Sequence, residues 1–169
     1  MQTPEIENRV RGEVINRVES KLSEAVDASC PNACLCCNVD KKRVAELVNG
    51  FAGDEMWTDG VYVLECKPRT VSQRIVREEL RLQNDCRWIN AQERDQLIYV
   101  GVSQDVPSRL REHAYARGKG ANFTQIFPAT RLLSVQWYPS ITTAHRAEEI
   151  TAEILKESTP DNIYVAQPG

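Results

Sequence analysis

Two short runs, Gly60-Val61-Tyr62 and Tyr99-Val100-Gly101, each set a tyrosine beside a glycine in strand-like sequence, and the second leads into Ser108-Arg109-Leu110-Arg111-Glu112-His113. The first continues through Val63-Leu64-Glu65-Cys66, so residues 60–66 make a nearly continuous β-favouring run of the kind a central strand carries. Residues 97–102, Leu97-Ile98-Tyr99-Val100-Gly101-Val102, read as a second strand. After it, Ser103 or Asp105 can cap a helix that holds Pro107 in its first turn and runs to about Arg117, where Gly118-Lys119-Gly120 breaks it. Two strand tyrosines followed by an arginine and a histidine four residues apart can gather phenols, a guanidinium and an imidazole in one pocket. Such a pocket suits a phosphodiester.

Working outward, Leu132-Leu133-Ser134-Val135-Gln136-Trp137-Tyr138 predicts a third strand before Pro139. Thr142 or Thr143 then caps a last helix to about Lys156, stopped by Ser158-Thr159-Pro160. Toward the other end, Ile6, Val10, Ile15, Val18, Leu22 and Val26 recur at near-helical spacing over residues 5–26, which predicts an amphipathic helix. A second helix is expected over 40–50, with Gly50 and Gly53 closing it. The segment 68–96 reads as helix followed by irregular chain, an insertion between the two tyrosine strands. The architecture expected is α/β (α+β): a small three-stranded antiparallel sheet flanked by helices, in a domain over residues 58–165, with an N-terminal helical region over 1–50.

A chain of 169 residues, 41% hydrophobic and 27% charged, is long enough to bury one core. No stretch approaches the roughly 18 apolar residues that span a bilayer, and the start Met1-Gln2-Thr3-Pro4-Glu5 lacks the basic and apolar regions of a signal peptide, so a cytoplasmic protein that does not enter membranes is expected. The net charge of -3 conceals an uneven distribution. Residues 97–146 hold Arg109, Arg111, Arg117, Lys119, Arg131 and Arg146 against only Asp105 and Glu112, whereas residues 147–169 are acidic. Phosphate contacts depend on where cations sit rather than on total charge, so an acidic chain can still bind nucleic acid through such a face.

These pieces, in this order, resemble the GIY-YIG nuclease domain. Gly60-Val61-Tyr62 is similar to its first motif and Tyr99-Val100-Gly101 to its second. Arg109 falls at the family's arginine position, His113 at its His/Tyr position one turn later, and Gly118-Lys119-Gly120-Ala121-Asn122-Phe123-Thr124 resembles a loop found in many members. Each three-residue piece alone is equally read as packing or surface decoration; their joint order is what carries the resemblance. The 36 residues between Tyr62 and Tyr99 depart from the short loop most members have there.

The resemblance implies a metal-dependent DNA endonuclease, of the homing or excision-repair type. It makes Tyr62 the general base toward water, Tyr99 a residue that positions water or phosphate, Arg109 the phosphate-binding cation and His113 an aid to water orientation or proton transfer. A glutamate on the last helix would hold one Mg²⁺ or Mn²⁺. Glu148 and Glu149 compete for that role. Glu148 shares its helix face with Ala144, Thr151, Ala152 and Leu155, whereas Glu149 lies with His145, Arg146, Ala152 and Glu153, so the residues favour Glu148. Lys119, Asn122 and Thr124 in the Gly-rich loop, and Asn162 after Pro160, are candidate DNA contacts; a solvated loop and a plain Asx turn are the alternatives.

Cys30, Cys34, Cys36 and Cys37 place four thiols in eight residues. Zinc is one reading, although C-x₃-C-x-C-C is compressed for a tetrahedral site; unligated reduced thiols and a redox role are the others. An inactive GIY-YIG-like module that binds DNA or a protein, organised by a zinc-binding cysteine segment, is the alternative function. The N-terminal helix offers a face for a second copy or another partner.

Overall fold

The structure, a computed structural model, describes residues 1–23, 34–35, 40–52, 59–68, 96–115 and 122–167. The chain opens with helix α1 (Thr3–Arg9), a π-helical stretch (Val10–Val14) and α2 (Ile15–Ser23), then α3 (Lys41–Ala52). Strands β1 (Gly60–Cys66) and β2 (Gln96–Ser103) follow, then α4 (Val106–Tyr115), the short α5 (Asn122–Ile126), β3 (Ala129–Trp137), α6 (Ile141–Ser158) and β4 (Ile163–Ala166). The helix expected within 68–96 lies outside the described residues, as do Cys30, Cys36 and Cys37.

Local chemistry accounts for the helix boundaries. Asp105 accepts from the Ser108 N–H at 3.2 Å and starts α4, and Asp40 does the same for α3 through the Arg43 N–H at 2.9 Å. The cap of α6 is Ser140, whose hydroxyl accepts from the Thr143 N–H at 3.1 Å, rather than Thr142 or Thr143; the helix therefore begins two or three residues earlier than expected. Gly50 does not close α3 but lies inside it, with open space around its Cα, so the helix runs on to Ala52.

The sheet has four strands in the order β3-β1-β2-β4, not three. β1 pairs antiparallel with both β2 and β3, and β4 pairs parallel with β2, so the sheet is mixed rather than purely antiparallel. A parallel neighbour needs a long connection, and α6 supplies it, returning the chain from β3 at one edge to the other edge beside β2. The four residues Ile163-Tyr164-Val165-Ala166 give no strand signal of their own. They become a strand because Gln96, Leu97, Ile98 and Tyr99 present partners to them.

Both faces of the sheet are covered, which is why β1 is apolar almost throughout. On one face Tyr62, Leu64, Leu97, Tyr99, Leu132, Val135 and Trp137 pack with residues of α3, α4 and α5. On the other, Val61, Val63, Ile98, Val100 and Leu133 meet α6 and the N-terminal helices, whose Ile6, Val10, Val14 and Val18 are buried. The apolar stripe of the N-terminal helices is thus used within the chain. A bulge in β3 leaves Leu133 without a partner on β1, since Leu64 faces Leu132 and Val63 faces Ser134, and so lets Leu132 and Val135, three residues apart, share one face.

Cys34 and Leu35 dock on the outer edge of β3. Cys34 bridges to Arg131, and the Leu35 N–H donates to the Thr130 carbonyl at 2.8 Å. Cys34 and Cys66 are buried thiols outside any disulfide. Arg131, counted above with the basic face, is instead buried against Glu65, with Nε to Oε2 at 2.7 Å, and so does not reach a ligand at the surface. Among the described residues no helix is long and apolar enough to cross a membrane.

Candidate active site

Strand register builds the site first. Tyr62 on β1 faces Gly101 on β2, and Leu64 faces Tyr99, so by the two-residue period both phenols stand on the same face of the sheet. Gly101 is there because nothing larger fits: a Cβ at this position would lie 2.5 Å from Tyr62 Oη and 2.6 Å from Cζ. Gly60 has a similar reason, since its Cβ would come within 2.7 Å of Trp137 Cζ3 and 2.8 Å of Val106 Cγ2. The glycines of the two motifs are therefore read from close approach, not from backbone torsion.

Helix α4 lies over this face and brings Arg109 and His113, one turn apart, down onto the phenols. His113 is fully buried; Tyr62 Oη lies 2.7 Å from its Nε2, and Thr124 Oγ1 lies 2.7 Å from its Nδ1. The Tyr99 ring packs 5.1 Å from the His113 ring, centroid to centroid, and stacks at 6.0 Å on Phe123 of α5. Arg109 also acts on the Tyr62 phenol, as a hydrogen-bonding cation, and holds Glu112 through Nη1 and Oε2 at 2.6 Å. Its side chain keeps 32% of its surface exposed, which makes it the group of this set that an incoming phosphate can meet directly.

The electrostatics follow from burial. Tyr62 is held well above the ordinary phenol value by burial and by Tyr99, with Arg109 pulling the other way. Tyr99 is raised too, by burial and by the Glu148 carboxylate. His113 is pushed down to about 3 by burial and by the Arg109 charge, so its imidazole is neutral. Burial weakens the Arg109 cation, but Glu112 and Tyr62 more than offset this, and the net direction is upward. Glu148 is pushed up to about 7 by burial and by its neighbour Glu149. It is buried on α6, whereas Glu149 is exposed.

Tyr62, Tyr99, Arg109, His113 and Glu148 are thereby brought into one electrostatically coupled group. Lys119 lies outside the described residues. Asn122 begins α5, its side chain outside the described set. Asn162 is exposed in the turn before β4, where its carbonyl accepts from the Gln96 N–H at 3.3 Å. Thr124 differs most from its expectation. It is fully buried against His113 and does not present a hydroxyl to a nucleic-acid backbone. The signal that could have found it is its place as the last residue of the Gly-x-Gly-Ala loop segment, one core-facing Phe away from Asn122.

Two opposed titrations make a stability test. The folded chain binds a proton at Glu148 near pH 7 that the unfolded chain binds only near 4.5, so acid adds stability between those values. His113 works the other way: unfolded it takes a proton near 6.5 and folded only near 3, so acid removes stability between those values. From pH 6.5 to 4.5 the two cancel, one proton against one. Glu148→Gln removes the first, so on acidification over that window the variant is expected to lose stability relative to wild type by about 1.4 kcal/mol per pH unit, ~3 kcal/mol in all. Denaturant unfolding in EDTA across the window checks it, and parallel stability curves for the two proteins would contradict it.

Among the described residues no three His, Cys, Asp or Glu side chains cluster as a metal cage. The Glu148 carboxylate does fit a hard cation that takes a single protein ligand: it is buried, raised by a neighbouring acid, and among the described residues no cation counters that rise.

A family model described as the GIY-YIG catalytic domain matches residues 59–160. Neither the curated proteins nor the solved structures gave a match.

Proposed function

The chain belongs to the GIY-YIG nuclease family, and from that premise we propose that it is a metal-dependent DNA endonuclease that hydrolyses phosphodiester bonds at Tyr62, Tyr99, Arg109, His113 and Glu148. The observation that carries this reading is the buried contact of Tyr62 Oη with His113 Nε2 at 2.7 Å, with Arg109 on the same phenol.

The resting charges say how the residues can work together. A neutral phenol beside a neutral imidazole is a poor base by itself, because burial disfavours both the phenolate and the imidazolium. A concerted transfer avoids a free phenolate: as water attacks phosphorus it passes a proton to Tyr62 Oη, while the phenol passes its own proton to His113 Nε2. The negative charge growing on the phosphoryl oxygens offsets the imidazolium, and the departing oxygen leaves with the electron pair of the broken P–O bond. Arg109 meets the phosphate with its planar donor fork. Tyr99 packs beside His113 and borders the place where water and phosphate meet.

Glu148 would hold Mg²⁺ or Mn²⁺, with water and phosphate oxygens completing the shell. The ion would supply positive charge toward the departing oxygen and the phosphate. We read the partner as DNA and the setting as cytoplasmic.

A cleavage assay tests this. Supercoiled plasmid and branched DNA are incubated with Mg²⁺ or with EDTA, comparing wild type with Arg109→Ala and Glu148→Ala. Products that need the metal and fall at least about 10²-fold in both variants are expected. No product from wild type on any substrate, with DNA still bound, would instead make the chain a binding module.

A further inference from the structure

We infer that Thr124 is a positioning residue: its hydroxyl accepts the Nδ1–H of His113 and so supports the tautomer, set by the Tyr62 hydrogen bond, whose bare Nε2 takes the Tyr62 proton. The inference rests on the nuclease reading for its catalytic meaning, but the tautomer itself can be read without any substrate.

The argument is an account of donors and acceptors. Tyr62, His113 and Thr124 are 1%, 0% and 0% exposed, so both ring nitrogens of His113 must be satisfied inside the protein. A neutral imidazole has one N–H and one bare nitrogen. Arg109 can only donate, so the phenol's own hydrogen needs another acceptor, and among the described residues that acceptor is His113 Nε2, 2.7 Å from Oη. Nε2 is then the acceptor and Nδ1 carries the hydrogen, facing Thr124 Oγ1 at 2.7 Å.

The opposite tautomer would send two N–H groups, from Arg109 and His113, at one phenol oxygen. The phenol's hydrogen would then lose its acceptor in a buried site, which disfavours that tautomer.

The surroundings of Thr124 support a positioning role. Helix α5 is only five residues long, yet Phe123, Ile126 and Phe127 on and after it are all buried, and the Phe127 N–H bonds back to the Phe123 carbonyl at 2.9 Å. These apolar anchors fix the height of the short helix over the sheet, and with it the Thr124 hydroxyl. The Gly-rich segment 118–124 thus ends in a residue that serves the histidine.

The test uses ¹⁵N-labelled histidine in the full chain, in EDTA and without DNA. The chain has two histidines, and His145 is exposed, so it serves as the internal reference. Wild type is expected to show His113 with hydrogen on Nδ1 and a bare Nε2. Thr124→Val, which keeps the shape and removes the hydroxyl, is expected to leave Nδ1–H without its acceptor and so to raise the fraction of His113 with hydrogen on Nε2. In the cleavage assay its kcat should fall by about tenfold or more, with KM within about twofold. Thr124→Ser should restore both the tautomer and the rate.

Hydrogen on Nε2 in wild type, or a Thr124→Val protein with the tautomer and rate of wild type, would overturn the inference. The wild-type spectrum decides the tautomer even if Thr124→Val fails to fold. Wild type with hydrogen on Nδ1 but without cleavage of any DNA would sink the nuclease reading and leave the tautomer assignment standing.

Discussion

Tyr62→Phe is expected to lower DNA cleavage about 10³-fold, close to 4 kcal/mol of lost transition-state stabilisation, while leaving DNA affinity in EDTA within about twofold. The change removes one oxygen atom. That oxygen is the point where Arg109, His113 and the attacking water meet, so its loss interrupts the proton path at both ends. Affinity is spared because the Arg109 side chain, the exposed member of the group, remains charged and in place on α4. Folding should suffer modestly, since the bare Nε2 of a fully buried His113 loses its donor, a loss worth roughly 1–3 kcal/mol. Single-turnover cleavage, a binding titration and thermal unfolding on one preparation separate these effects. Cleavage within about tenfold of wild type would remove Tyr62 from the chemistry.

Gly101→Ala should be the most damaging small substitution in the domain. The added Cβ would sit 2.5, 2.6 and 2.7 Å from Oη, Cζ and Cε2 of Tyr62, where ordinary contact begins at about 3.4 Å. Neither side yields easily. Gly101 is held by the pairing of two central strands, and the Tyr62 ring is wholly buried and tied at Oη to His113. Overpacking of this kind costs about 1–3 kcal/mol, and here relief requires the phenol to move off its hydrogen bond, so activity should fall further than stability.

Gly60→Ala is the control. Its Cβ would press on Trp137 and Val106 to a similar degree, yet neither of these belongs to the proton path. Comparable unfolding shifts with a much larger rate loss for Gly101→Ala are expected. Equal rate losses would mean that general destabilisation, not displacement of Tyr62, governs the site.

How far each feature was legible depends on how local its cause is. Arg109 and His113 are one helical turn apart, and Tyr62 and Tyr99 lie in runs with strong strand preference, so their grouping follows from spacing together with the family resemblance. The choice of Glu148 over Glu149 followed from helical periodicity alone, and the buried position of Glu148 agrees with that reasoning. The fourth strand was not legible, because four residues with no alternation become a strand only through pairing with β2. Arg131 looked like part of a basic face because charge can be counted without knowing burial; its pairing with Glu65 across β1 and β3 is a matter of strand register.

By itself the sequence determined β1, β2 and β3, the longer helices around them and the family they make, since strand and helix preferences and the order of the motifs are properties of neighbours along the chain. Only the tertiary structure decided that a phenol takes the space above Gly101, that Thr124 serves His113 instead of facing solvent, and that His113 and Glu148 have titrations displaced in opposite directions. The reason is common to all three. Close contact, hydrogen-bond partnership and desolvation depend on atoms distant in sequence, and they exist only once the sheet has been covered on both sides.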